Sequence, residues 1–588
     1  MKFRLRSVTI LLAAILLLIF YYPVIFHPSE FIFSTDGDGL KYWYFMKYHI
    51  IDVSASFTEF RGMNYPFTES IYNLDAQPAL LFVLKWINTH VINITENFMV
   101  IIYFLVFFSL LISSLLILEI FFHYGMLSWL AIPFTLGITF MSPQLHRIYT
   151  HINLAYAFVL PLTWWLYLKF TKTNKKKFLF ALIFFLILSG FLHPYYIAIE
   201  AVLLFILILI ERNWNSKNKW KYFLWMIIVP LISFFIVINA GFRGSTDLAK
   251  LPYGAFGEAY RSRPEDVFTP NNWSFWYDFL NLHWIHHGSW EGEAYIGFAM
   301  LLPGLSYLFY FLINIFRKEK RKKLNPFKTL TGLFLFPMLL FIITAGAFHF
   351  ILPHSIKEMF PTFLTQFRTF GRLAWVIFYM LSIFFSIKFF LWLRLSRIRK
   401  RKMIYGCSLA LFFLLYAADV VENNLRVMNN LDKNKISQLN FSVDSLAENI
   451  SPGKYQAIIA LPYFNVISSL PFSPDPFPGI MFPAFELSLK TMLPLTDINS
   501  SRTSQSLSRK QIRLYSHNDK EILRYMPSKK PFLIIINKEN MDGILDATIK
   551  NADLFKYQKN ILKLAKPLNH IDNYYLFEIS FQELLLVN

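Results

Sequence analysis

Thr35-Asp36-Gly37-Asp38 sets two carboxylates one glycine apart at the head of a long polar segment. Carboxylates this close raise one another's pKa or share a cation, and either state suits proton abstraction or metal binding. Gly37 and Gly39 let the backbone approach a ligand closely. Asp-Gly is also an ordinary turn dipeptide, so the spacing leaves both a site and a solvated turn open. Arg368 and Arg372 are the complementary pair. They stand four apart in Gln366-Phe367-Arg368-Thr369-Phe370-Gly371-Arg372, share one face of a helix, and can clamp a phosphate. Arginines at a helix end also snorkel to the membrane interface, but two guanidiniums facing an acidic loop favour an anion. A third concentration is His283-Trp284-Ile285-His286-His287-Gly288-Ser289-Trp290-Glu291-Gly292-Glu293. His283 and His287 would share a helical face. The spacing fits no strong zinc motif, so histidines lining a polar cavity without a metal are the favoured reading. Glu293 stands at the entrance to an apolar run, where an ionisable group is costly. Three further turns carry histidine beside aromatic residues: His146-Arg147-Ile148-Tyr149-Thr150-His151, His193-Pro194-Tyr195-Tyr196 and Pro353-His354. Each alone reads as structural; together they supply groups that hydrogen-bond hydroxyls and phosphates. No G-x-S-x-G, H-E-x-x-H, Walker or dinucleotide fingerprint points to hydrolase, nucleotide or redox chemistry.

The elements that must position these residues are helices in lipid. The chain has 588 residues, 55% hydrophobic and 16% charged, with a mean hydropathy of +0.42. An ordinary soluble domain carries about 25% charged residues. The net charge of +20 forms no face or stripe for nucleic acid; it lies in short runs between apolar segments, which is a topology signal. Cys407 is the only cysteine, so disulfides and cysteine metal sites within the chain are excluded. Apolar stretches at 8–26, 98–122, 127–142, 153–168, 178–192, 195–210, 223–240, 294–316, 330–352, 373–393 and 403–419 make about eleven spans. The first follows Lys2, Arg4 and Arg6 and leaves through Tyr21-Tyr22-Pro23 without a small-x-small site, which reads as an uncleaved helix with a cytoplasmic N-terminus. Under that parity the basic loops 172–177, 212–221, 317–323 and 394–402 are cytoplasmic, and the loops 27–97 and 241–293 lie outside. The aromatic segment 42–60 reads either as lying in the membrane interface or as folded on its own core. From about 420 the sequence becomes Asn- and Ser-rich, with strand-like runs at 457–461, 532–536 and 574–579 and polar helix candidates at 442–450 and 519–525. The expectation is a mainly α, polytopic membrane helical bundle over 1–420 and an extracytoplasmic α/β domain over 421–588.

In this layout the chain resembles the GT-C superfamily of membrane glycosyltransferases. That superfamily includes protein O-mannosyltransferases, oligosaccharyltransferase catalytic subunits, lipid A aminoarabinose transferases and many bacterial relatives. The local pieces are Gly37-Asp38-Gly39-Leu40-Lys41, Tyr149-Thr150-His151-Ile152-Asn153-Leu154, His193-Pro194-Tyr195-Tyr196, Glu293-Ala294-Tyr295-Ile296-Gly297 and Phe367-Arg368-Thr369-Phe370-Gly371-Arg372. The resemblance implies sugar transfer from a polyprenyl-phosphate-linked donor, outside the cytoplasm, to an acceptor hydroxyl or amide. The family's first-loop aspartate, a base or metal ligand, carries onto Asp38 first and Asp36 second. Arg368 and Arg372 would bind the donor phosphate, and His151, His193, His287, Glu291 and Glu293 would contact substrate or a divalent cation (magnesium or manganese). The chain lacks the W-W-D-Y-G type signature of oligosaccharyltransferases and the Asp-Glu pair of O-mannosyltransferases, so N-glycosylation is not expected and the acceptor (glycan, lipid or protein) stays open. The implied place is the bacterial inner membrane. Two other readings use the same features: a transporter or flippase of a polyprenyl-linked precursor, and a non-catalytic envelope assembly protein.

Overall fold

The computed structural model describes residues 1–210, 219–241, 262–271, 274–285, 290–315, 329–342, 369–398, 402–436, 446–448, 450–467, 479–500, 502–516, 519–546, 552–571 and 573–587. Helices lie on each of the eleven apolar runs, residues 343–352 of the ninth lying outside the described residues: α1 (Lys2–Phe26), then, after α2 (Gly37–Ile51) and α3 (Pro78–His90), α4 (Phe98–His123), α5 (Ala131–Phe140), α6 (Val159–Thr173), α7 (Lys176–Leu192), α8 (Pro194–Ile210) and α9 (Lys219–Gly241). Past two short helices, α10 (Pro264–Phe268) and α11 (Phe275–Phe279), come α12 (Phe298–Ile315), α13 (Thr329–Ile342), α14 (Ala374–Ile398) and α15 (Lys402–Asp432). Segments of α1, α4, α14 and α15 are long and apolar enough to cross a membrane by length and composition.

Polar residues fix how these helices meet. Arg6 of α1 and Lys169 of α6 both pair with Glu119 of α4, at 2.5 and 3.6 Å, which brings the N-terminus and the basic 172–177 turn to one end of the bundle. Asn174, in the left-handed region at φ 51°, closes α6 and turns the chain into α7. Inside the bundle Glu200 of α8 accepts hydrogen bonds from Thr163 of α6 and Ser189 of α7, both at 2.5 Å. A buried acid in a span is tolerated when satisfied in this way.

The change of composition at 420 is not a chain break: α15 runs on to Asp432. Its polar half serves other helix ends. Asn423 and Asn424 donate to the Phe140 carbonyl that ends α5 (2.9 and 2.8 Å), Tyr21 of α1 donates to Asn424 (2.7 Å), and Asp419 accepts from the Ala299 amide at the start of α12 (3.1 Å). Helix termini leave backbone groups that need such partners.

The C-terminal part is α/β. Its main sheet is built from β1 (Ile458–Leu461), β2 (Phe532–Asn537), β3 (Lys566–Ile571) and β4 (Tyr574–Ile579) in the order β1-β2-β4-β3, with β1 parallel to β2, β2 antiparallel to β4 and β4 antiparallel to β3. The three expected strands are present; β3 lacks an apolar alternation and is not legible in the sequence. The expected helix at 442–450 falls mostly outside the described residues, and 519–525 forms a 3-10 turn at Glu521–Tyr525.

This domain packs on the loop between α1 and α4. The segment 42–60 folds on a core shared with the C-terminal domain: Phe60 packs on Tyr44, Phe45 and Tyr48, and Tyr44 of α2 stacks on Phe485 at 4.3 Å and bonds Ser488 at 2.7 Å, on the helix α16 (Met481–Thr491). The Asn64, Tyr65 and Leu495 amides bond the carbonyls of Asp497, Leu495 and Gly62. The face suited to the membrane interface belongs instead to α3, where Phe82, Val83 and Trp86 are exposed together.

Candidate active site

The site is built from the start of α2. Gly37 takes φ +54°, in the left-handed region that favours glycine, and the chain enters the helix with Asp38 in its first turn. At Gly39 a Cβ would lie 2.5 Å from the Ser34 Cβ and 3.0 Å from its amide nitrogen, so the turn closes on itself only without a side chain there. The Lys41 Nζ, one turn on, lies 2.5 Å from the Asp38 Oδ1. Asp36 faces elsewhere: it is exposed and accepts from the Ser34 hydroxyl at 3.0 Å.

Across from Asp38 stands His151. Its Nε2 is 3.6 Å from the Asp38 Oδ2 and 3.9 Å from the Glu291 Oε1, and its Nδ1 is 3.1 Å from the Tyr42 hydroxyl. The ring stacks on Trp290 at 5.2 Å. Glu291 is held from two sides. Arg372 places Nε and Nη2 on its two carboxylate oxygens, each at 2.8 Å, and the Arg147 Nη1 is 3.2 Å from Oε2. Arg147 also donates to the Trp290 and Glu291 carbonyls and lies 4.4 Å above the Trp290 ring, while Arg372 lies 4.5 Å above Tyr195. Loops from four parts of the chain thus meet at one end of the apolar helices.

Asp75 and Arg502 pair with each other at 3.1 Å, and both act electrostatically on His193 together with Arg372 and His151, so the C-terminal domain reaches the site. His193 is buried beside them, its Nδ1 accepting from the Tyr195 amide at 3.1 Å. Glu293 belongs to a separate group with Arg426 and with Asn271, which donates at 2.6 Å. Arg368 and His287 lie outside the described residues. The structure therefore joins Asp38, His151, Glu291 and Arg372, brings His193 beside them, and leaves Asp36 and Glu293 apart. Arg502 went unrecognised in the sequence, while Lys41, Arg147 and Trp290 lie inside the segments singled out there but received no role of their own. The three-residue offset of Lys41 from Asp38 becomes a signal only once the helix start is known.

Burial would raise the Asp38 carboxyl, but Lys41, His151 and Arg372 outweigh it and hold it well below the usual carboxylate range. Burial would likewise raise Glu291, and Arg372 and Arg147 hold it low. Burial pushes His151 down to about 4 and His193 to about 3, so both are neutral near pH 7. Two ionised carboxylates, Asp38 and Glu291, thus face three fixed cations, Lys41, Arg147 and Arg372. Asp38 is the open member: 43% of its side chain is exposed, whereas those of Lys41, Arg147, Glu291 and Arg372 are buried. Such a pocket attracts an anion to an exposed carboxylate. It does not fit a divalent cation, because both carboxylates already carry cationic partners. Among the described residues, no group of three His, Cys, Asp or Glu side chains is arranged to hold a metal.

Residues 10–421 match the family described as "Domain of unknown function (DUF6311)". Curated proteins give no match to the sequence. Among solved structures, the chain is similar to ArnT from Cupriavidus metallidurans bound to undecaprenyl phosphate, with 10% identity, 97% of each chain covered and a TM-score of 0.48. It is also similar to the Archaeoglobus fulgidus oligosaccharyltransferase tethered with an acceptor peptide, with 10% identity, 94% of this chain and 72% of that one covered, and a TM-score of 0.48.

Proposed function

The chain belongs to the DUF6311 family, and we propose that it is a GT-C-type membrane glycosyltransferase, moving a hexosyl or pentosyl group from a polyprenyl-phosphate-linked donor to an acceptor at the face that carries Asp38. One observation carries this reading: an ionised, solvent-facing carboxylate shares a cluster with three fixed cations at the ends of the apolar helices. A lipid-anchored donor presents its phosphate and sugar at that level. The charge pattern of the loops supports placing that face outside the cytoplasm with the N-terminus inside, and the family resemblance supports a bacterial inner membrane.

In the proposed reaction an acceptor hydroxyl attacks the anomeric carbon and gives its proton to Asp38. The bond from that carbon to the phosphate oxygen breaks, and its electron pair leaves on the polyprenyl phosphate. The surplus positive charge of Lys41, Arg147 and Arg372 stabilises that leaving group. Arg372 spends one edge on Glu291, so the phosphate would meet its other edge and the Lys41 ammonium. While Lys41 is paired with Asp38 the carboxylate is a weak base. A donor phosphate that draws Lys41 away strengthens that base at the moment the donor is in place. His151 and Tyr42 would orient the acceptor. No step needs a divalent cation.

Purified full-length protein, given a labelled polyprenyl-phospho-sugar and envelope extract as the acceptor source, should release the label into a new product. Asp38→Asn should lower that rate by about 100-fold or more with its thermal unfolding unchanged. Movement of the donor between leaflets without transfer would favour a flippase, and neither activity an assembly protein.

A further inference from the structure

Lys388 lies inside α14, fourteen residues beyond its first residue Ala374. At a rise of about 1.5 Å per residue that is roughly 21 Å from the Asp38 end, and a bilayer core is about 30 Å thick. The ammonium is therefore in the half of the membrane opposite the Asp38 cluster. A lysine at such a depth is costly unless it is paired or reaches the interface. No described carboxylate pairs with it. It lies instead over two aromatic rings, 4.6 Å from the centre of Tyr307 and 5.3 Å from that of Phe384.

Beside Lys388 a groove of about 350 Å3 runs between α12, α14 and α15. Tyr310, Trp392 and Ser408 line it and carry hydrogen-bond donors, and Leu302 and Leu411 form its apolar walls. Leu302, Leu411, Trp392 and the nearby Leu305 are exposed on the outside of the bundle, so the groove opens sideways into lipid rather than to water. An occupant must therefore arrive through the acyl region, bring a negative charge, and leave apolar chains along the leucines. Trp and Tyr beside a Lys are also what a protein places at head-group depth.

We infer that this groove binds the phosphodiester head group of an anionic glycerophospholipid in the leaflet opposite the Asp38 site. The phosphate pairs with Lys388 and accepts hydrogen bonds from Tyr310, Ser408 and the Trp392 indole, while the acyl chains follow Leu302, Leu305 and Leu411. The inference is independent of the reaction at Asp38.

The test uses purified full-length protein, offered phosphatidylglycerol and phosphatidylcholine of the same acyl length, with retained lipid counted by native mass spectrometry. Wild type and Lys388→Arg should favour phosphatidylglycerol by about fivefold, as expected for one lysine near an anionic head group, and Lys388→Gln should lose the preference. Equal retention of both lipids by the wild type, or a preference that survives in Lys388→Gln, overturns the assignment. If Lys388→Gln does not fold, Ser408→Phe decides, because it fills the groove and keeps the ammonium: a lost preference supports the site and an unchanged one overturns it.

Discussion

Asp36 and Asp38 are two residues apart and chemically identical, and the first turn of α2 separates their roles. Asp36 stays with Ser34, while Asp38 faces Lys41 and His151. Asp36→Asn should therefore leave transfer within a few-fold of wild type in the assay that Asp38→Asn fails. The fork of Arg372 on Glu291 raises a different question, since removing one partner of a buried pair costs about 3–5 kcal/mol. Arg147 remains on Glu291, so Arg372→Gln should cost at the low end of that range. Pairing it with Glu291→Gln should lower the melting temperature further, because Arg147 then lies buried without its carboxylate partner, while transfer stays lost. If the double variant regains transfer, the arginine is structural only. The charge balance also bears on cofactors. Dialysis against EDTA should leave the transfer rate unchanged and added magnesium or manganese should not raise it; a rate that metal restores would contradict the saturated carboxylates.

At the scale of elements, the site depends on how tightly the chain enters α2. Gly39→Ala puts a methyl group 2.5 Å from the Ser34 Cβ, and overpacking of this kind costs about 1–3 kcal/mol. A lower melting temperature and a larger fall in kcat than in donor affinity are expected, because Asp38 moves with that turn. An unchanged kcat would show that the turn tolerates the shift. The helix itself was hidden in the sequence. Its residues from Gly39 to Ile50 are buried on nearly all sides by α3 and the C-terminal domain, so no polar face remained to give a helical period. The reverse held for α15. Its polar half suggested a domain boundary near 420, because asparagines and acids that bond other helix ends look like a linker in one dimension.

For the whole molecule, the loop between α1 and α4 and the C-terminal domain are packed against each other. Glu69 lies buried between them, bonded by Asn64 at 2.7 Å and by Thr503. Burial raises its pKa from 4.5 to about 7. Its acid form is thus favoured by folding, and the stability it contributes is full below pH 4.5 and lost as pH rises through about 7. The buried histidines act with the opposite sign. His151 and His193 have folded values near 4 and 3 against 6.5, so stability falls as pH drops below 6.5 toward those values. Melting temperature against pH should peak between these limits, and Glu69→Gln should reduce the alkaline slope, leaving the share of Asp497, which burial also raises to about 7. A Glu69→Gln curve parallel to the wild type at high pH would show that Glu69 does not titrate there.

By itself the sequence determined the lipid-embedded class of the chain, its apolar runs and three strands of the C-terminal sheet. These follow from composition and local periodicity, which act over one element at a time. It also marked Asp38, Glu291 and Arg372 as candidates, because charged groups beside apolar runs are conspicuous. Which carboxylate meets which cation was decided only in three dimensions. Glu291 rather than Glu293 shares His151 with Asp38, Arg147 joins from a turn between helices, and Arg502 arrives from 427 positions beyond Asp75. Such pairings depend on where loop ends land once the helices pack, and burial then sets their charge states.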